Sequence, residues 1–297
     1  MAAGVKIVVP TVFTDPTLPK LRDDAVFPDA GGVMLLDTNH PLRPMGSSVA
    51  PGAVVPNLLK TMLKGLQAGA ADADYDGALV DNASLISAGR GKFEKSNLGG
   101  IHMIFSQANT TTNSWGKVRL PAAAMAYMAA NTGHEFYSSL WLRVTRASTS
   151  AGLQKHSDHG VGQFWTVNAG NAQDTVYPTN ITRKNWRADG AVGTSASGSG
   201  ARSALGGLFQ AIDRTPIDTP VESAGVPSNA VFIGGNFGGG KSPSAVFYRA
   251  YIEDLTVSGR SWATVNALDF AEYTRQVLTS GGRSFGDTVP TDPTTIP

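Results

Sequence analysis

The stretch Gly234-Gly-Asn-Phe-Gly-Gly-Gly-Lys-Ser-Pro-Ser-Ala-Val-Phe-Tyr-Arg-Ala-Tyr-Ile-Glu-Asp-Leu-Thr-Val257 can be read in two incompatible ways, and the choice between them decides the fold. From Gly235 onward it satisfies G-x-x-x-x-G-K-[ST], the loop whose glycines let backbone N–H groups cradle phosphates while the lysine reaches the outer oxygens. Such a loop needs a strand before it and a helix after it whose N-terminus faces the anion. Asn229 to Gly234 supplies the apolar run before it. Pro243 follows the motif at once, however, and Ala245 to Val257 is dominated by β-branched and aromatic residues, which favour strands. Phe247, Tyr251 and Leu255 also fit a helical face, so periodicity alone leaves the choice open. Context closes it: too few residues follow Ser242 for several βα units, and no βαβ alternation precedes it. The stretch is read as a glycine-rich loop between two antiparallel strands, which sets nucleotide hydrolysis aside.

Composition agrees with a β-rich, loop-rich chain. Of 297 residues, 41% are hydrophobic, enough for a sizeable core, while only 16% are charged, against roughly 25% in ordinary soluble domains. The 34 glycines and 17 prolines suit frequent turns. A net charge of +1 without a basic run gives no case for nucleic acid, and no stretch approaches the length of an apolar membrane span. With no cysteine, disulfides and thiolate metal sites are impossible. The opening MAAGVKIVVPTVFTDP lacks the long apolar core of a signal peptide, so folding in the cytoplasm is expected.

Residues 1–55 carry prolines 10, 16, 19, 28, 41, 44 and 51, a density that opposes helices and central strands, and they are expected to form an extended arm. Pro56 to Gln67 then reads as an amphipathic helix capped by Asn57, with Leu58, Leu59, Met62, Leu63 and Leu66 in one stripe. That stripe packs either on the body of the protein or in a neighbouring subunit, and is the candidate assembly surface. From residue 78 to 285 the texture is of short strands separated by Gly, Asn and Ser. The strands are expected at Ala78 to Ile86, Ile101 to Ser106, Val118 to Leu120, His134 to Val144, Gly160 to Val167, Ala204 to Ile212, Ala230 to Ile233 and Ala245 to Val257. Gly190 to Ser203 is low-complexity. A closing helix is expected from Ser261, its N-cap, to Leu278, with Gly281 past its end, and residues 286–297 form a tail with little to fold against.

Several constellations invite a chemical reading. Asp72, Asp74 and Asp76 begin an EF-hand pattern, but the twelfth position is Ala83 rather than glutamate, so the alternatives are an isolated calcium clip or a solvated acidic turn. His156, Asp158 and His159 lack the further ligands of a zinc site. Of the five glutamates, Glu253 stands next to Asp254 in a strand-like run that points the two to opposite faces, so they cannot flank a glycosidic bond. No nucleophile elbow is present, and no enzymatic activity and no cofactor are expected. Trp141, Trp165, Trp186 and Tyr177 could stack on sugars if they line a groove. In His134 to Val144 the alternation buries Phe136, Leu140, Leu142 and Val144, which turns Trp141 to the opposite face, open in a lectin groove or covered by a neighbour.

His134-Glu-Phe-Tyr-Ser-Ser-Leu-Trp-Leu-Arg-Val144 resembles a strand of the laminin-G and concanavalin A-like jelly rolls, and Phe247 to Val257 with the following helix resembles their closing strand. The resemblance implies a mainly β fold: a concanavalin A-like jelly-roll sandwich with an extended N-terminal arm, one helix before the sandwich and one after it. No calcium or sugar ligand of that family has a matching residue here. Arm, sandwich and absent active site together are similar to bacteriophage virion proteins. That likeness implies a homo-oligomeric structural subunit of the tail, baseplate or fibre-attachment region, contacting other virion proteins. The alternatives are a lectin-like module for a host surface glycan and a capsid decoration protein.

Overall fold

The computed structural model describes residues 24–82, 84–111, 114–131, 134, 136–146, 186–188, 191–193, 207–214, 230–236 and 244–297. The described elements are, in order, β1 (Gly32–Asp37), β2 (Val54–Val55), α1 (Lys60–Leu66), a 3-10 turn (Asp72–Tyr75), β3 (Gly77–Asp81), β4 (Gly91–Lys95), β5 (Ile101–Phe105) and β6 (Ser114–Arg119). There follow α2 (Ala122–Ala130), β7 (Phe136–Arg146), β8 (Trp186–Ala188), β9 (Ala191–Gly193), β10 (Gly207–Arg214), β11 (Ala230–Asn236), β12 (Ser244–Asp254), α3 (Leu255–Ser258), α4 (Trp262–Tyr273), a π-helical turn that continues it (Thr274–Leu278) and a 3-10 turn (Pro293–Thr295).

The strands form two antiparallel sheets. The larger is ordered β4-β5-β12-β7-β10-β8-β9 with β1 also paired to β12; the smaller is β11-β6-β3-β2. Residues 244–254 are thus a strand, not the helix that a phosphate loop requires, and β11 and β12 belong to different sheets. The rest of the Gly235 motif lies outside the described residues.

One apolar core takes residues from both sheets. It takes Leu36 from β1, Leu79 from β3, Phe93 from β4, Met103 from β5, Val118 from β6 and Phe247 from β12, with Leu63 of α1 and Met128 of α2. The helix α2 is absent from the sequence-based reading, although AAAMAYMAA after Pro121 is a run of strong helix formers whose Ala123, Ala124, Tyr127 and Met128 face the core at helical spacing.

The larger sheet is covered on its other face as well. Val26, Leu35, Leu59, Tyr137, Tyr251, Leu255 and Val265 form a second cluster, and Trp141, Val246, Tyr248 and Tyr273 a third, both beneath α3, α4 and the segments beside them. Every residue of β12 is therefore buried, which is why its sequence shows no polar alternation. A bulge at Tyr248, where Phe247 opposes Leu142 and Arg249 opposes Trp141, shifts the alternation by one residue. Phe247 and Ala250 consequently both face the main core, while Tyr248 and Arg249 are turned to the α4 side.

Residues 24–55 are not a free arm. The six residues of β1 are all buried and run antiparallel to β12, because the stretch between Pro28 and Pro41 is long enough for an uninterrupted apolar strand. The sequence-predicted helix from Pro56 shortens to Lys60–Leu66; Asn57 instead uses Oδ1 to accept from Leu35 N at 2.9 Å and Leu59 N at 3.0 Å, tying the turn to β1. Gly32 permits the close approach of α1, since a Cβ there would lie 2.6 Å from Met62 Sδ.

Candidate functional site

The most unusual chemistry of the described residues lies under α4, on the outer face of the larger sheet. The Tyr248 bulge places Arg249 there with no exposed surface, 4.5 Å above the Trp141 ring. Its guanidinium meets three carboxylates from distant parts of the chain: an ion pair with Asp24, Asp37 Oδ2 at 3.5 Å from β1, and Asp269 Oδ1 at 3.7 Å from α4. Arg283 approaches Asp37 from beyond α4, Nη1 to Oδ1 and Nη2 to Oδ2 both at 3.2 Å. Tyr137 Oη donates to Asp269 Oδ2 at 3.0 Å.

Burial opposes the Arg249 charge, but Asp24, Asp269 and Asp37 outweigh it and hold the group above its ordinary value. At Asp24, burial acts to raise the pKa and Arg249 lowers it, with a net lowering; at Asp269 burial wins and the pKa is raised. With the guanidinium enclosed by the chain's own acids, this cluster holds segments together: residue 24, β1, β12, α4 and the chain after α4 converge on it.

Three smaller polar groups lie elsewhere among the described residues. Glu253 pairs with Arg260, while Tyr251 Oη donates to the same carboxylate. Asp254 Oδ2 accepts from Tyr127 Oη at 2.7 Å and lies 2.6 Å from His134 Nδ1, and its Oδ1 accepts from Val257 N at 3.1 Å. The buried His102 lies 2.9 Å from Glu94 Oε1 through Nδ1 and 2.9 Å from Thr145 Oγ1 through Nε2. Burial lowers the His102 pKa more than Glu94 raises it.

The sequence-predicted site residues fall as follows. Leu59 and Leu63 are buried inside this same chain, and Leu58, Met62 and Leu66 are half-buried, so the helical stripe packs at least in part on its own body. Asp72 and Asp76 are bridged by Lys60 Nζ at 2.7 and 2.8 Å, and Lys64 Nζ adds a second contact to Asp72 at 2.6 Å. Hydrogen bonds from those lysines lower the Asp72 pKa to about 2. Arg43 Nη1 reaches Asp76 Oδ1 at 3.2 Å, so cations of the chain occupy the proposed calcium ligands, and Asp74 is half-buried apart from them. Among the described residues no group of three His, Cys, Asp or Glu side chains is arranged to hold a metal, and no helix is long and apolar enough to cross a membrane.

Trp141 is only 2% exposed, edge-on to Tyr273 at 5.4 Å between ring centroids, and α4 covers it. It is packed inside the chain and is not open to a glycan. Trp186 lies in β8 opposite Phe209 and Gly193. Trp165, Tyr177 and the His156, Asp158 and His159 group lie outside the described residues. The Arg249 cluster escaped the sequence-based reading, although an arginine at the centre of an otherwise apolar run is itself the signal of a buried ion pair.

No protein-family profile matches this chain, and no curated protein or solved structure does either.

Proposed function

We propose that the chain is a non-enzymatic structural subunit of an assembled particle of the bacteriophage virion type, in the tail, baseplate or fibre-attachment region, with residues 1–23 contacting a neighbouring copy. The observation that carries this reading is the buried pair between Asp24 and Arg249. It fixes Asp24, the residue that follows the proline-bearing stretch 1–23, to the larger sheet, which supports an assembly role for that stretch. The inward pairing of Glu94, Glu253, Asp254 and Asp269 supports a structural role, because each carboxylate meets a partner of the same chain. Two antiparallel sheets around one core support the concanavalin A-like arrangement, in which a glycan-binding alternative would have to use Trp165 or Trp186.

Light scattering on the full chain and on a version beginning at Asp24 tests the proposal. Truncation must stop there, because removing residues 1–55 would delete β1 from the sheet. The expected result is an oligomer for the full chain and a folded monomer for the shortened one. Monomers in both cases would overturn the assembly reading.

A further inference from the structure

Residues 287–297, read from sequence as a loose tail, lie along the larger sheet in a groove built by other parts of the chain. Asp287 is held three times: Oδ1 accepts from Leu98 N at 2.8 Å, Oδ2 accepts from Tyr248 Oη at 2.9 Å, and its carbonyl accepts from Arg143. Thr288 O accepts from Asn97 N at 2.9 Å, and Asn97 Nδ2 donates to Thr288 Oγ1 at 2.5 Å. Thr291 donates through N and Oγ1 to the two oxygens of Glu94, at 3.0 and 2.6 Å, and Arg146 Nη1 donates to Pro293 O at 2.8 Å and Ile296 O at 2.5 Å. Val289 packs beside Trp141 and Tyr248.

These contacts are those of a receptor and a peptide. The groove supplies groups fixed by β4, the turn that follows it, β7 and β12, and the ligand is a short segment whose prolines limit the freedom lost on binding. Gly286 joins the two with φ +67°, and a Cβ built there would meet nothing within 4 Å, so a glycine is called for by the backbone turn and not by close packing, which suits a pivot. Beside this pivot, Phe285 and Leu98 remain 44% and 40% exposed.

We propose that this face is a recognition groove for an extended Asp-Thr-Val-Pro-Thr segment, and that in the assembled state residues 287–297 of a second copy fill it, linking copies by mutual exchange. A second copy supplies an identical ligand, and Phe285 and Leu98, which the chain leaves open when it fills its own groove, lie beside the pivot that the exchanged segment would cross. The inference rests on the assembly reading for the source of that copy, and the two fail separately, because exchange is read from the mixed dimer and the arm from truncation.

The absence of cysteine makes the test clean. Full-length Asn97→Cys chains are mixed with full-length Thr288→Cys chains under oxidised glutathione, and the disulfide-linked dimers are resolved by mass. The double variant, which can close within one chain, reports that the pair is within bonding reach. Exchange predicts a mixed dimer in several-fold excess over the two same-variant dimers, reduced about tenfold when Asp287→Ala is added to the Thr288→Cys chain. A mixed dimer no more abundant than the same-variant ones overturns the proposal. If the double variant does not close, a labelled peptide of residues 286–297 is titrated against a chain ending at Phe285; saturable binding supports the groove and its absence sinks it. A mixed dimer in chains lacking residues 1–23 supports exchange even if the arm plays no part. An oligomer lost on removing those residues, without a mixed dimer, retains the arm and rejects the exchange.

Discussion

Replacing Arg249 with methionine removes the only cation among the described residues that touches both Asp24 and Asp269, and leaves two wholly buried carboxylates without it. Breaking a buried ion pair from one side costs about 3–5 kcal/mol, because the stranded partner keeps its desolvation penalty. At ~2–4 °C per kcal/mol for a chain of this order of size, the melting midpoint should fall by roughly 6–20 °C. The pH dependence carries the sharper test. In the native protein the Asp24 carboxyl is held below its ordinary 3.8, so the stability it contributes is present above that value and is lost as pH falls through the depressed one. Without Arg249, burial, the largest influence, is opposed only by the Val26 N–H bond and by His40, and the folded-state value is expected to move above 3.8. The sign then reverses: the contribution of Asp24 is present below 3.8 and lost as pH rises through the raised value. Asp269, already raised by burial, moves further the same way. The destabilisation measured by urea unfolding should therefore shrink between about pH 7 and about pH 4. Asp269→Asn, which removes a charge that burial already disfavours, should cost less than Asp24→Asn. A loss below about 1 kcal/mol at neutral pH, or one independent of pH, would refute the assignment of Arg249 as the anchor of this cluster.

Leu63→Ala should cost about 2–5 kcal/mol in chemical denaturation, as for other buried leucines, while the exposed Thr61→Ala changes stability by less than about 0.5 kcal/mol; equal effects would show that α1 is not packed on its own core. The Glu94 carboxyl is opposed by burial but brought down to about 2 by Lys92, Thr291 and His102. The stability it gives residues 287–297 is accordingly present above its ordinary 4.5 and lost as pH falls toward about 2. Pepsin should cut this segment increasingly fast across that window, and Glu94→Gln should flatten the dependence; unchanged pH dependence in the variant would separate the segment from Glu94.

The strand character of Ala245 to Asp254 is legible in sequence because it rests on local composition, and composition also disfavours the phosphate-loop reading. Ser261 at the start of α4 is legible for the same reason: its side chain accepts from Thr264 N at 3.1 Å, only three residues away. The apolar stripe of α1 is equally plain, but which surface receives it is not, since Gly32, the residue that admits Met62, is thirty positions distant. α2 goes unread where alanine-rich sequence sits inside a region of strand texture, because propensity yields to context when the surrounding pattern is mistaken for the local one. The partners of Arg249 and the groove for Asp287 are decided by tertiary structure alone. Asp24 is 225 positions from Arg249 and Asp287 is 189 from Leu98, and no local period encodes such contacts. Local periodicity reports which face of an element is apolar. What covers that face, and which charges are enclosed with it, is set only when the two sheets, α4 and the final segment exclude water together.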